Sequence, residues 1–153
     1  MPRANRSLER GLAILDSFRP GTGVLSHREV TERSGLPKPT VTRLLATLKE
    51  SGYLTYDALA RGYRLGPPIL SLAYTFELES ALRRALAPVV ARAAQDSASI
   101  IGFGTAHALD IVYLAASNGD PARGERSVGP GMRAPIATSS VGRAYLAGLP
   151  EAE

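Results

Sequence analysis

Cationic and hydroxyl side chains recur between residues 38 and 49 at a spacing that places them on one side of a helix. Lys and Arg neutralise phosphates, Arg can donate two hydrogen bonds to a guanine edge, and Thr can bond several base edges or contact the thymine methyl group. These residue types therefore predict contact with double-stranded DNA. The candidate contacts of this segment are Lys38, Pro39, Thr40, Thr42, Arg43 and Thr47.

We expect two groups of these residues to contact different parts of the DNA. Lys38, Pro39, Thr40 and Arg43 lie nearest the start of the helix, where side chains reach base edges when a helix enters the major groove. The remaining two threonines are expected to meet phosphate instead. For Thr47, simple solvation is the alternative.

The opposite side of the same segment is apolar. Val41, Leu44, Leu45 and Leu48 follow the i, i+3, i+4, i+7 spacing of one buried stripe. Pro37 and Pro39 fit its first turn, where backbone amides have no partner within the helix. The pattern predicts a helix with a buried side and a free basic side.

A short capped helix is predicted just before it. Ser26 and Glu29 form an S-x-x-E capping box, and Leu25 and Val30 can close a hydrophobic staple. Gly35 follows the last turn, where a left-handed residue commonly ends a helix. A short helix, a tight turn and a longer basic helix together predict a helix-turn-helix.

A further helix is predicted over residues 7–18, with Ser7 as its N-cap. Its apolar stripe should pack on the stripe of the basic helix. That predicted stripe consists of Leu8, Leu12, Leu15 and Phe18.

Two short strands are predicted behind the basic helix, at residues 53–56 and 62–65. A hairpin in this position is the wing of a winged helix. Arg61 at its tip and Arg64 on its second strand could reach phosphates or the neighbouring minor groove. The alternative is that both arginines are only solvated.

Composition and charge limit the function classes. The chain has 153 residues, 44% of them hydrophobic, with no cysteine and a net charge of +4. Residues 1–70 hold eleven Lys and Arg against six Asp and Glu, a footprint expected of phosphate binding, although a solvated face would also explain an excess of this size. The lack of cysteine excludes a disulfide framework, a thiol nucleophile and a cysteine zinc site, and it fits the cytoplasm. No apolar run approaches the roughly 20 residues that span a membrane.

Three motifs together resemble one known family. The segments SLERGLAIL, SGLPKPTVTRLLATLKESGYL and YRLGPPILSLA, spread over residues 7–75, resemble the IclR family of bacterial transcription regulators. The resemblance implies an α+β chain in three parts. These are a winged helix-turn-helix over residues 1–66, a linker helix over 67–80 and part of a GAF-like α/β effector domain over 81–153. It also implies binding to operator DNA as a homodimer or a dimer of dimers, and a small organic acid as effector.

The linker segment is apolar on several sides, which predicts a dimerising helix, the alternative being ordinary core within one chain. Its apolar residues include Ile69, Leu70, Leu72, Ala73 and Phe76. The next amphipathic segment, residues 81–96, should contain a proline start, kink or break at Pro88. Its predicted buried side consists of Leu82, Leu86, Val89 and Ala93.

The effector contacts are expected from the resemblance, together with the preference of carboxylates for a helix start. Ser140 stands where the family commonly has a smaller residue or glycine, and a Ser-capped structural helix is the alternative. By analogy with the family, residues 81–153 are only the first part of the effector domain, with more strands and helices expected to follow. The expected effector contacts are Met132, Ala134, Ile136, Ser139, Ser140 and Val141.

Two other functions compete with DNA reading. One is a winged-helix dimerisation or interaction module that reads no DNA sequence. The other is an enzyme of GAF-like fold, disfavoured because His27 and His107 lie in different segments and there is no thiol. No cofactor is expected. A metal site at His107 and Asp110 is not expected either, because these two residues share a turn with no further ligand.

Overall fold

The computed structural model describes residues 5–120 and 128–150. It is an α+β chain that divides into two compact units, of which the first ends at Phe76 and the second begins at Glu77. The two are described separately below.

The first unit opens with helix α1, Arg6–Leu15. The predicted cap at Ser7 is wrong. The side-chain oxygen of Asn5 accepts hydrogen bonds from the amides of Ser7 and Leu8, at 3.0 and 3.2 Å. Because Asn5 already satisfies these two amides from an extended backbone, the helix starts one residue before Ser7 and includes it.

The predicted stripe of α1 is also wrong in its first half. Ile14 is fully buried and Phe18 nearly so, whereas Leu8 and Leu12 are 63% and 54% exposed. Leu8 lines a groove of about 430 Å³ that also has Leu44 and Leu48 in its walls. Gly11 lines the same groove and, having no side chain, does not fill it.

Helices α2, His27–Ser34, and α3, Lys38–Glu50, form the predicted helix-turn-helix. The Ser26 capping box is present in full, and Gly35 ends α2 at a left-handed φ of 65°. Val41 and Leu45 of α3 are fully buried in a core that also contains Ile14, Val30 and Leu54. Leu44 and Leu48 pack against that core while partly exposed, which confirms the predicted stripe.

The predicted wing is present as the antiparallel strands β1, Leu54–Asp57, and β2, Gly62–Leu65. Leu25 joins the wing as a third backbone partner, because Leu25 and Tyr63 exchange both amide hydrogen bonds, at 2.7 and 2.9 Å. The wing is thereby fixed to the chain just before α2. Gly62 is buried at this junction.

Helix α4, Pro67–Glu79, begins where the linker helix is predicted to begin and has no buried residue. Leu70, Leu72, Tyr74 and Phe76 are all more than half exposed. The boundary between the two compact units falls within this helix. Its role in dimerisation stays a prediction.

The second unit begins with helix α5, Ala81–Ser97, capped by Ser80. The predicted buried side is wrong at Leu82 and Val89, which are 53% and 61% exposed. Leu86 and Ala93 are partly buried, and the buried residues are Val90 and Ala94. Pro88 lies inside the helix and neither starts nor splits it. The helix continues past the proline because its buried residues pack on the sheet that follows.

That sheet has three antiparallel strands in the order β3, β4, β5. Strand β3 is Ile100–His107 and β4 is Asp110–Asn118. The short β5, Arg133–Pro135, pairs with the start of β4. Helix α6, Ser140–Ala147, follows with Ser139 as its N-cap and Gly148 just past its end.

Candidate nucleic-acid interface

The exposed side of α3 presents its cations free of protein anions. Lys38, Arg43 and Lys49 are exposed, and no carboxylate among residues 5–120 and 128–150 forms an ion pair with any of them. Thr42 and Thr47 are exposed on the same helix, and Thr40 is partly exposed. The side of the helix predicted to contact DNA is therefore accessible and carries uncompensated positive charge.

Two of the three threonines of α3 are already engaged with the backbone. Thr42 Oγ1 donates to the carbonyl of Lys38 at 3.0 Å, and Thr47 Oγ1 donates to that of Arg43 at 3.2 Å. Thr42 has a second partner, because His27 Nε2 lies 2.9 Å from the same hydroxyl oxygen. Either hydroxyl would have to leave its carbonyl before it could donate to a phosphate.

The two wing arginines differ in their surroundings. Arg64 forms an ion pair with Asp57, so its guanidinium group already has an anion beside it. Arg61 is exposed at the turn, has a positive φ of 53°, and has no ion-pair partner in the described part of the chain. Arg61 is thus the wing cation that is free to meet a phosphate.

Asp57 organises the wing tip, a role that was not predicted from the sequence. Its carboxylate accepts hydrogen bonds from the amides of Leu59 and Ala60 at 3.0 and 2.9 Å. The Ala60 amide, followed by Arg64 and the Leu59 amide, lowers the pKa of Asp57 below its usual value. Aspartate just before a tight turn commonly forms an Asx turn. The position of Asp57 at the end of the first strand is therefore the sequence signal that could have predicted this role.

The expected effector residues lie on one continuous segment of the second unit, from β5 to the start of α6. Met132, Ala134, Ile136 and Val141 are partly exposed, and Ser140 is exposed. Ser139 is committed to capping, since its hydroxyl donates to the Pro135 carbonyl at 2.6 Å and accepts from the Gly142 amide at 3.0 Å. Glycine is required at position 142 because the backbone there lies close to Ile136. A β-carbon on Gly142 would lie 2.1 Å from the Ile136 carbonyl oxygen.

Residues 5–120 and 128–150 offer neither a metal site nor a membrane-spanning helix. No three His, Asp or Glu side chains come together there in a way that could hold a metal ion. Within the same ranges, no helix combines the length and apolar character needed to cross a membrane.

Both the sequence and the structure of the chain are similar to members of the IclR family. Residues 7–58 match the IclR helix-turn-helix domain. The chain is 34% identical over 108 residues to the HTH-type transcriptional regulator TsaQ1/TsaQ2 of Comamonas testosteroni, a match that covers 71% of this chain and 38% of that protein. The crystal structure of an IclR family transcriptional regulator from Brucella abortus is 36% identical, with a TM-score of 0.81, and the match covers 97% of this chain and 56% of that one.

A more distant structure shows the fold alone. It is an IclR homolog from Microbacterium hydrocarbonoxydans complexed with 4-hydroxybenzoate, 22% identical, with a TM-score of 0.65 over 95% of this chain and 60% of that one. The chain spans about half the length of the curated relatives that it matches.

Proposed function

We propose that this chain, which belongs to the IclR family of transcription regulators, binds operator DNA in a sequence-specific manner through α3 and the β1–β2 wing. The observation that carries the proposal is the exposed side of α3, where Lys38 and Arg43 have no anionic partner within the described residues. Free cations near the start of an exposed helix are suited to both phosphates and guanine edges.

Salt dependence tests this proposal directly. The chain is titrated in gel-shift experiments with the DNA upstream of its own gene and with a scrambled duplex of equal length, at about 50 and about 200 mM salt. Phosphate contacts predict that affinity for both duplexes falls steeply with salt, by about 10³-fold for some six contacts. Base reading predicts that only the upstream DNA is still bound at the higher salt.

The competing function makes the opposite prediction. An interaction module that reads no sequence would bind both duplexes equally at each salt concentration, or neither of them. Either result would contradict the proposal.

Dimerisation is the second part of the proposal, and it is supported by the exposure of α4. Leu70, Leu72 and Tyr74 are 74%, 58% and 59% exposed, an apolar surface that a second copy of the helix would cover. Two copies would present two α3 helices to half-sites about one helical turn, roughly 34 Å, or a multiple of it apart.

A small organic acid as effector is the third part, and it is supported by the start of α6. The first amides of a helix have no partner within it and favour an anion, and Ser140 is exposed there. The 4-hydroxybenzoate bound by the Microbacterium hydrocarbonoxydans homolog makes an aromatic carboxylate the first probe to try.

Calorimetric titration with 4-hydroxybenzoate tests the effector proposal. Ser140→Asp places a negative charge beside the expected carboxylate and should weaken binding about tenfold or more. Ala147→Asp, at the far end of the same helix, adds the same charge and should leave binding unchanged. Equal affinity of Ser140→Asp and the unchanged chain would refute this site.

A further inference from the structure

His27 and Thr42 form a contact between the first and second helices of the helix-turn-helix. His27 is the first residue of α2 and is partly buried, and Thr42 lies in the exposed side of α3. The distance from His27 Nε2 to Thr42 Oγ1 is 2.9 Å. This is a direct side-chain link between α2 and one of the α3 residues expected to contact DNA.

Counting protons assigns the direction of this hydrogen bond. A threonine hydroxyl has one proton to donate, and that of Thr42 goes to the Lys38 carbonyl at 3.0 Å. Thr42 Oγ1 must then accept from His27, which requires the ring proton to be on Nε2.

A second threonine lies beside the other nitrogen of the imidazole ring. Thr31 Oγ1 lies 3.4 Å from His27 Nδ1 and donates its own proton to the His27 carbonyl at 2.8 Å. The ring is therefore placed between two threonine oxygens, one on each helix.

These bonds leave Thr42 Oγ1 with acceptor capacity and no proton to give. Phosphate oxygens, guanine N7 and O6, and thymine O4 are themselves acceptors, so they offer nothing to such an oxygen. The donors exposed in the major groove are the amino groups of adenine N6 and cytosine N4. A fixed acceptor at Thr42 can therefore distinguish adenine or cytosine from guanine or thymine on the strand it faces.

We propose that His27 is a positioning residue that fixes Thr42 as an acceptor for a base amino group, instead of the phosphate contact that the sequence suggests. The inference rests on the proposed DNA reading by α3. Thr47 offers a natural comparison, because it donates to the Arg43 carbonyl at 3.2 Å but has no histidine beside it in the described part of the chain.

Selection of binding sites from a random-sequence DNA pool by the whole chain tests the inference. Thr42→Val, which keeps the shape but removes the acceptor, identifies the base position that Thr42 reads. The unchanged chain should prefer one base pair at that position, and removing only its major-groove amino group, with purine in place of adenine or 2-pyrimidinone in place of cytosine, should weaken binding about tenfold. Thr47→Val should leave the preference there intact.

Two substitutions of His27 separate its hydrogen bond from its bulk. His27→Phe keeps a ring but has no N–H, so it should abolish the preference at the Thr42 position alone, with affinity for random DNA unchanged. His27→Gln has an amide donor of similar reach and should retain most of the preference. If His27→Phe fails to fold by circular dichroism, His27→Asn, whose shorter amide does not reach Oγ1, replaces it with the same expectation.

The possible outcomes separate the two claims. A His27→Phe chain that keeps the full preference at the Thr42 position overturns the role of His27 while DNA reading stands. Undiminished binding to the duplex that lacks this amino group overturns it as well. If the unchanged chain enriches no sequence, the proposed function itself fails, and the inference fails with it.

Discussion

At the level of single residues, Arg43 is the side chain on which specific binding should depend most. It is exposed, on the same side of α3 as Thr47, and near the start of the helix where base edges are within reach. We expect Arg43→Ala to weaken binding to the operator by about 1–3 kcal/mol, with a smaller loss on random DNA. Gel-shift titration on both duplexes measures the difference.

A matched control is available in the second unit. Arg92 is highly exposed and lies 3.8 Å from Asp96, so Arg92→Ala removes the same charge from a helix not expected to contact DNA. It should leave operator binding unchanged. If Arg43→Ala weakens operator and random DNA equally, Arg43 contacts the DNA backbone instead of a base.

Glu29 makes a pH-dependent contribution to stability through the capping box. Hydrogen bonds from the Ser26 hydroxyl and then the Ser26 amide lower the pKa of Glu29 below its usual 4.5. A carboxylate whose pKa is lowered in the folded state stabilises fully above the unfolded value, and this contribution is lost as pH falls through the folded one. We therefore expect Glu29→Gln to lower the melting temperature at pH 7.

The same measurement at acidic pH checks the sign. Below a pH of about 4.5 the difference between Glu29→Gln and the unchanged chain should shrink, because Glu29 then becomes neutral, as glutamine is at every pH. Glu50→Gln, an exposed change at the end of α3, should show no such loss. A difference that stays constant down to acid unfolding would exclude the proposed charge effect.

At the level of elements, the attachment of the wing depends on a small residue at Gly62. A β-carbon there would lie 2.5 Å from Val24 Cγ1 and 2.6 Å from the Leu25 carbonyl oxygen. Because that oxygen belongs to the backbone pair between Leu25 and Tyr63, it cannot yield without breaking the pair. We expect Gly62→Ala to destabilise the chain by about 1–3 kcal/mol in chemical denaturation.

Gly11 provides a control of opposite sign. It lies inside α1, where an added β-carbon would meet no heavy atom of the described residues within 4 Å. Gly11→Ala should therefore stabilise the chain by about 0.5–1 kcal/mol, since alanine loses less backbone entropy in a helix. Similar losses from both substitutions would show that close packing at Gly62 is not the cause.

At the level of the whole molecule, the apolar surface of α4 predicts assembly. We expect the chain to sediment as a dimer, and Leu70→Glu to shift it to a monomer by placing charge in the covered surface. Affinity for DNA with two half-sites should fall with it, because one copy can engage only one of them.

The neighbouring residue tests whether charge alone has this effect. Ser71 is also exposed on α4, so Ser71→Glu adds the same charge beside Leu70. It should affect assembly less than Leu70→Glu. A chain that is monomeric without any substitution at working concentrations would contradict the proposed dimer.

The sequence predicted the local elements well where a pattern over neighbouring residues decides them. The capping box at Ser26, the turn at Gly35 and the buried stripe of α3 with Val41 and Leu45 all occur as predicted. Each depends on side chains within a few residues of one another, whose relative positions a helix fixes. The family membership follows from the same local motifs.

The tertiary structure decided which residues of an amphipathic helix are buried, because this depends on the surface that packs against the helix. Spacing gives Leu8 and Leu12 the same pattern as a buried stripe, but only packing shows that the burial begins at Ile14. In α5 the same ambiguity was resolved in favour of Val90 and Ala94.

The hydrogen bond between His27 and Thr42 belongs to this second class, because its two residues are fifteen positions apart in the chain. The types of side chain available for contact with DNA were thus determined by sequence alone. Which of them are fixed, paired or free was decided by the folded structure, since a hydrogen-bond partner that is distant in sequence is brought close only by the packing of helices.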